Sequence, residues 1–149
     1  MILWDSNVWL ALALSKHVHH AAARNWFETV GKPREICFCR STQQTFLRLL
    51  TNAAVFAPYG NLPLTNQQAW EAYEALLADY RIELRGGEPP GLEGQWTSFA
   101  LRASASPKLW MDAYLAAFAR AGGYRMVTTD VAFRQFPGLD VLVLGGDPP

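Results

Sequence analysis

The sequence predicts an α/β fold: helices on both faces of a central parallel sheet of about five strands, three layers in all. Three observations predict it. Short apolar runs alternate with longer stretches whose apolar residues recur every three or four positions. Turn-forming residues separate these segments at close intervals. No repeat, low-complexity stretch or linker divides the 149 residues, which suffice for one core and not for two, so a single domain over residues 1–149 is expected.

The elements follow in order. Ile2-Leu3-Trp4 reads as a first strand, ended by the helix-capping types Asp5-Ser6-Asn7, and an apolar helix follows over residues 8–14. A second helix is expected over residues 17–30, with Ala22, Trp26, Phe27 and Val30 on one face and Gly31-Lys32-Pro33 as its stop. Residues 35–39 read as a strand buried on both sides. Ser41 or Thr42 is expected to cap the next helix, which carries Phe46, Leu47, Leu49 and Leu50. Residues 53–64 contain Pro58, Gly60 and Pro63 and read as a loop. Thr65 caps a helix with Ala69, Trp70, Tyr73, Leu76 and Leu77 at helical spacing. Residues 81–85 form a third strand, 86–91 a loop, and 95–102 a weak helix. Ser106-Pro107 opens a helix over 108–120 that stops at Gly122-Gly123. A strand over 125–128, a helical turn over 130–135 and a strand over 140–144 complete the pattern, with a frayed tail at 145–149.

The composition bounds the function. Thirteen basic and thirteen acidic residues cancel, so bulk charge gives no argument for nucleic-acid binding and any such claim must come from a site. Cys37 and Cys39 lie two apart in an apolar strand, read as core fillers in a reducing cytoplasm. No secretory leader is expected, because Asp5 interrupts the first apolar run, and no window is long enough to span a membrane. A cytoplasmic location is the expectation. The first two helices carry Val8, Trp9, Leu12, Ala22, Trp26 and Phe27, more apolar surface than one short helix face buries, which predicts a covering partner.

Three aspartates stand apart. In an open parallel sheet, ligands gather outside the carboxyl ends of the strands. Asp5 ends the first strand, Asp130 follows the fourth, and Asp112 lies early in the helix before it, among apolar neighbours that make a carboxylate costly to bury. Each has a bland explanation: Asp5 and Asp130 as caps, Asp112 as an acid favoured near a helix N-terminus. Together at one edge they define a site. Converging carboxylates repel one another without a cation, and hard oxygen ligands suit Mg²⁺ or Mn²⁺, which can assist phosphodiester hydrolysis. Asn7, where a haloacid-type phosphatase needs a second aspartate, disfavours that class, and no Gly-rich loop supports a P-loop enzyme. Trp96 and Trp110 are the two tryptophans considered for RNA contact, and Arg40, Arg85 and Lys108 for its backbone. His17, His19 and His20 are read as surface or partner-facing residues.

The opening Ile2-Leu3-Trp4-Asp5-Ser6-Asn7-Val8-Trp9-Leu10 resembles that of a PIN domain of the VapC toxin type. Residues 16–27 are similar to the second helix of those toxins, and Ser41-Thr42-Gln43-Gln44-Thr45-Phe46 to the third-helix signature. Asp112-Ala113-Tyr114-Leu115-Ala116-Ala117, then Val127-Thr128-Thr129-Asp130, resembles the most specific part of the pattern. The resemblance covers nearly the whole chain. It implies an α/β/α PIN-like fold, a Mg²⁺-dependent endoribonuclease, a cognate antitoxin and a homodimer within the toxin–antitoxin complex. It assigns Asp5 and Asp112 as the principal metal-binding acids, Asp130 as a further acid, and Asn7 and Thr128 as polar supports. The family usually places a glutamate in the third helix. This chain has no acid between Glu35 and Glu71, and Gln43 is taken as the equivalent residue. That departure motivates the alternative: a catalytically weakened domain acting as an antitoxin-bound binding or regulatory module.

Overall fold

A computed structural model describes residues 1–146. The strands are β1 (Ile2–Trp4), β2 (Ile36–Cys39), β3 (Ile82–Arg85), β4 (Arg125–Thr128) and β5 (Val141–Val143). The helices are α1 (Ser6–Ala13), α2 (His20–Thr29), α3 (Arg40–Leu50), α4 (Ala53–Phe56), α5 (Asn66–Leu77), α6 (Leu92–Ala100) and α7 (Leu109–Gly122). Two 3-10 turns, Ala57–Tyr59 and Val131–Gln135, complete the described elements. The strands pair in the order β3-β2-β1-β4-β5, and every pairing is parallel.

A strand sends successive side chains to opposite faces, and this sheet is buried on both. Trp4, Ile36, Phe38, Ile82 and Val127 point to one face and pack with α1, α2, α3 and α5. Leu3, Cys37, Cys39 and Met126 point to the other and pack with α6 and α7. The two cysteines are free and buried, the core fillers the alternation predicts. Aromatic rings occupy the centre of the first face: Trp9 stacks on Phe38 with centroids 3.8 Å apart, and Trp4 meets Trp9, Trp26 and Phe27.

That packing narrows one expectation. Val8 and Trp9 are fully buried and Phe27 nearly so. Val8, Trp9 and Phe27 are thus taken up by the core, whereas Leu12, Ala22 and Trp26 stay partly exposed at its edge. Other boundaries shift for local reasons. The second helix begins at His20, because residues 17–19 form a turn in which the His19 amide donates to His17 Nδ1. The third begins at Arg40, directly after β2: Cys39 holds the capping position, and the Thr42 hydroxyl accepts from its amide and donates to its carbonyl. The stretch expected to be a loop contains α4, opened by Asn52, whose side chain accepts from the Ala54 amide. The weak helix after the Gly-Pro loop starts at Leu92 and ends at Ala100, its entry set by Gly91 at φ +81°. Residues 147–149 of the expected frayed tail lie outside the described residues, and Gly145 sits in a turn. Among the described residues no helix is long and apolar enough to cross a membrane.

Candidate active site

The strand order reverses direction at β1. To one side lie β2 and β3, to the other β4 and β5. Connections leaving β1 and β4 therefore diverge, opening a crevice at their carboxyl ends. Trp4 pairs with Val127, and the Asp5 amide donates to the Val127 carbonyl at 2.9 Å, which sets Asp5 beside Thr128. The helix α7 precedes β4 and runs back along the sheet, so its first turn, with Asp112, returns to the same edge.

These elements enclose a pocket of about 230 Å³, lined by Asp5, Asn7, Asp112 and Asp130 together with Ser41, Thr45 and Lys108, and floored by Leu115 and Phe133. Asp5 is only 6 % exposed. Its Oδ2 accepts from the fully buried Thr128 hydroxyl at 2.8 Å, and Thr128 Oγ1 accepts in turn from the Asp130 amide at 3.0 Å. One hydroxyl thus couples two of the three acids. Asp5 stands at the N-terminus of α1 but makes no side-chain capping bond, so capping does not account for it. Asp130 does cap: its Oδ1 accepts from the Ala132 amide at 2.8 Å, while Oδ2 lies 3.6 Å from Lys108 Nζ. Cap and pocket wall are both roles of this residue.

Burial pushes the Asp5 carboxyl above its ordinary value, against the Thr128 and Ser6 hydrogen bonds that lower it, and the charges of Asp112 and Asp130 push it further. Asp112 is raised by burial first; Lys108 one turn earlier lowers it and Asp130 raises it. The pocket is thus short of positive charge. Its donors are carboxylate, hydroxyl and amide groups, with no thiol or imidazole, a set suited to a hard divalent cation. Among the described residues no three Asp, Glu, His or Cys side chains are grouped tightly enough to hold an ion by themselves. Water would complete the shell, as Mg²⁺ ordinarily requires.

The structure brings together Asp5, Asn7, Asp112 and Asp130 as walls, with Thr128 behind Asp5. It does not bring Gln43. The Gln43 side chain is buried outside the pocket, its Oε1 accepting from Arg40 Nη1 at 2.5 Å beside the Tyr73 phenol. A helix turns 100° per residue, so positions 41 and 45 share a face and 43 lies round the cylinder from both. Ser41 and Thr45 are accordingly the α3 residues that reach the pocket, and adjacency to Thr42 was the wrong guide. The same spacing sets Met111, Asp112 and Leu115 along one face of α7, with Lys108 at its N-cap. Of the cations considered for RNA, Lys108 lines the pocket, whereas Arg85 pairs with Glu83 and Arg40 with Gln43.

The family model described as the PIN domain matches residues 2–139. Ribonuclease VapC41 of Mycobacterium tuberculosis is 59 % identical over 144 residues, covering 97 % of this chain and 99 % of that protein. Ribonuclease VapC43 of the same organism is 30 % identical over 141 residues, covering 91 % and 90 %. In fold, the chain is similar to VapBC2 from Rickettsia felis bound to a promoter DNA fragment, with a TM-score of 0.66 at 14 % identity over 97 % of this chain and 99 % of that one. It is also similar to Mycobacterium tuberculosis VapC20, a sarcin–ricin loop cleaving toxin, with a TM-score of 0.63 at 18 % identity over 95 % and 98 %. The chain belongs to the PIN-domain family and, within it, to the VapC type.

Proposed function

We propose that the protein is a metal-dependent endoribonuclease and the toxic half of a VapBC-like pair. The observation that carries this is the gathering of Asp5, Asp112 and Asp130, from three separate elements, in one pocket at the switch-point edge of the sheet. The 59 % identical relative, named a ribonuclease, supports the choice of RNA.

Asp5, Asp112 and Asp130 would hold Mg²⁺ or Mn²⁺. When bound, such an ion supplies Lewis acidity toward a phosphodiester and neutralises developing negative charge. The chain's own residues do the rest. Thr128 fixes the Asp5 carboxylate by donating to Oδ2, and is itself fixed by the Asp130 amide. Asp130 Oδ1 is held by the Ala132 amide, which leaves Oδ2 toward the pocket and Lys108. The Lys108 ammonium is largely exposed at the mouth, free to meet an RNA phosphate. Leu115 and Phe133 form an apolar wall that limits water. Ser41, Thr45 and Asn7 offer hydroxyl and amide groups for the substrate or for bound water.

A cognate antitoxin, a homodimer within the complex and a cytoplasmic location belong to the same reading. The antitoxin is supported by a fold neighbour described as a toxin–antitoxin complex, from Klebsiella pneumoniae. The test is cleavage of a total RNA pool by antitoxin-free protein, with Mg²⁺ against EDTA and wild type against Asp112→Asn. Discrete, metal-dependent fragments lost in the variant are expected; fragments that persist in the variant or in EDTA would overturn the reading. One observation favours a weakened, antitoxin-bound module instead: α3 presents only the hydroxyls of Ser41 and Thr45 to the pocket, and no acid. Calorimetry with Mn²⁺ separates the two readings, since heat of binding lost in Asp5→Asn counts against decay.

A further inference from the structure

Beside the acidic pocket lies a second cavity of about 250 Å³, lined by Ser41, Trp96, Trp110, Met111 and Tyr114. It shares Ser41 and Met111 with the acidic pocket, so the two are contiguous. Helix spacing explains the division. Asp112 and Leu115 of α7, with Lys108 at its N-cap, line the acidic pocket, Trp110 and Tyr114 line the second cavity, and Met111 stands between. The aromatic walls are fixed before any ligand arrives. The Trp96 indole N–H donates to the Trp110 carbonyl at 2.9 Å, and the Tyr114 hydroxyl donates to Glu88 at 2.9 Å. Trp96 meets Trp110 and Tyr114 edge to face, at 6.0 Å and 5.6 Å between centroids. Trp110 is 49 % exposed and Met111 51 %, which leaves an aromatic and a thioether surface open at the rim of an acidic site.

We propose that Trp110, backed by Trp96 and Tyr114, is a stacking subsite for one unpaired nucleobase of a single-stranded RNA segment whose backbone enters the acidic pocket. The inference rests on the ribonuclease reading above and adds the form of the substrate. The cavity is the size of a single ring system rather than of a helix. A base has a π-face whatever its identity, so the subsite selects single-stranded over paired RNA and tolerates sequence. A purely apolar surface would suit a protein partner equally well. Contiguity with the carboxylate pocket, where the ribonuclease reading puts the RNA backbone, favours the base.

The test is fluorescence anisotropy of a labelled oligoadenylate with Mg²⁺ present, in an Asp112→Asn background that stops cleavage. Trp110→Ala should weaken binding by roughly 5- to 100-fold. Trp110→Phe should restore most of the loss, and binding of a duplex RNA of equal length should be unchanged. An abasic residue scanned along the strand should weaken the parent at one position and have no effect there in Trp110→Ala. Equal affinity of Trp110→Ala and parent for oligoadenylate overturns the subsite. A parent that fails to bind oligoadenylate, from a wild type that still cleaves an RNA pool, overturns the subsite alone; absence of both binding and cleavage overturns the ribonuclease reading with it. Dissociation of a dimer by Trp110→Ala, seen by light scattering, names a second copy as the occupant and also overturns the proposal.

Discussion

Asp5→Asn should stabilise the metal-free protein and remove its response to metal. Asp5 is 6 % exposed, and its ionised form is opposed by burial and by the charges of Asp112 and Asp130. The amide keeps an oxygen for the Thr128 hydroxyl and sheds the charge, at the cost of one acceptor near the Ser6 amide. The net gain should be about 1 kcal/mol, within the usual range for single substitutions. At this chain length that raises Tm by about 2–4 °C. The sign with pH follows from linkage. A carboxyl raised above its unfolded value favours the fold when protonated; that contribution is complete below the unfolded value and is lost as pH rises through the folded one. The variant's advantage is therefore present at neutral pH and disappears near about pH 4. Manganese reverses the order: at about 100 times Kd it stabilises the wild type by about 2.7 kcal/mol and leaves the variant unmoved. Differential scanning calorimetry in EDTA and in Mn²⁺, across this pH range, reads all of it. A variant less stable than wild type in EDTA at neutral pH would refute the reasoning, because the charge would then be holding the helix rather than awaiting a cation.

Thr128→Val removes the donor to Asp5 and the acceptor for the Asp130 amide at a fully buried position, and should cost about 1–3 kcal/mol by urea unfolding while lowering RNA cleavage. Lys108→Ala should leave stability within about 0.5 kcal/mol, because the side chain is 79 % exposed, yet reduce the salt slope of RNA binding by about 1. An unchanged slope across a KCl series would put Lys108 outside the path of the RNA. Asp79 is held below its ordinary pKa by hydrogen bonds from Arg81, so its contribution is present above the unfolded value and lost as pH falls through the depressed one. Asp79→Asn should thus be less stable than wild type by about 1 kcal/mol at neutral pH, discounted for partial exposure, and equal to it in acid denaturation experiments.

Most of the fold was legible because burial leaves its mark on sequence in simple periods. The runs at β1 and β2 are apolar at every position, and β4 at its centre, Met126 and Val127, because both faces are covered there. The misreadings fall where a boundary is decided by one local bond. Pro58, Gly60 and Pro63 announced a loop and hid the single turn of α4, which exists because Asn52 caps it. The second helix was begun too early, since His17 and His19 satisfy each other in a turn that periodicity does not see. Which of the apolar residues on α1 and α2 are buried was not legible, because sequence gives a residue's hydropathy and not the depth of the sheet it meets: Val8 and Trp9 are enclosed, Leu12 and Trp26 only partly. Trp9 against Phe38 is a contact across elements, and only the assembled layers reveal it.

The site divides along the same line. Asp5 and Asp130 were legible as residues at strand ends, and strand order then decides whether strand ends meet. Here β1 and β4 are neighbours across the point where the order reverses, so the Thr128 hydroxyl donates to the Asp5 carboxylate and accepts from the backbone amide of Asp130. The α3 contribution was not legible by adjacency to Thr42, because a side chain's direction on a helix depends on its angle about the axis. The consequence is chemical. With Ser41 and Thr45 in the pocket and Gln43 turned to Arg40, the acid count is held at three; burial first, and the other acids after it, raise Asp5 and Asp112, while Thr128 and Ser6 lower the one and Lys108 the other. In the reading proposed above, hydroxyls in that place keep oxygen donors available to bound water while adding no charge. Their exchange for a carboxylate, Thr45→Glu, should then tighten Mn²⁺ binding in calorimetry without changing the fold that gathers the acids.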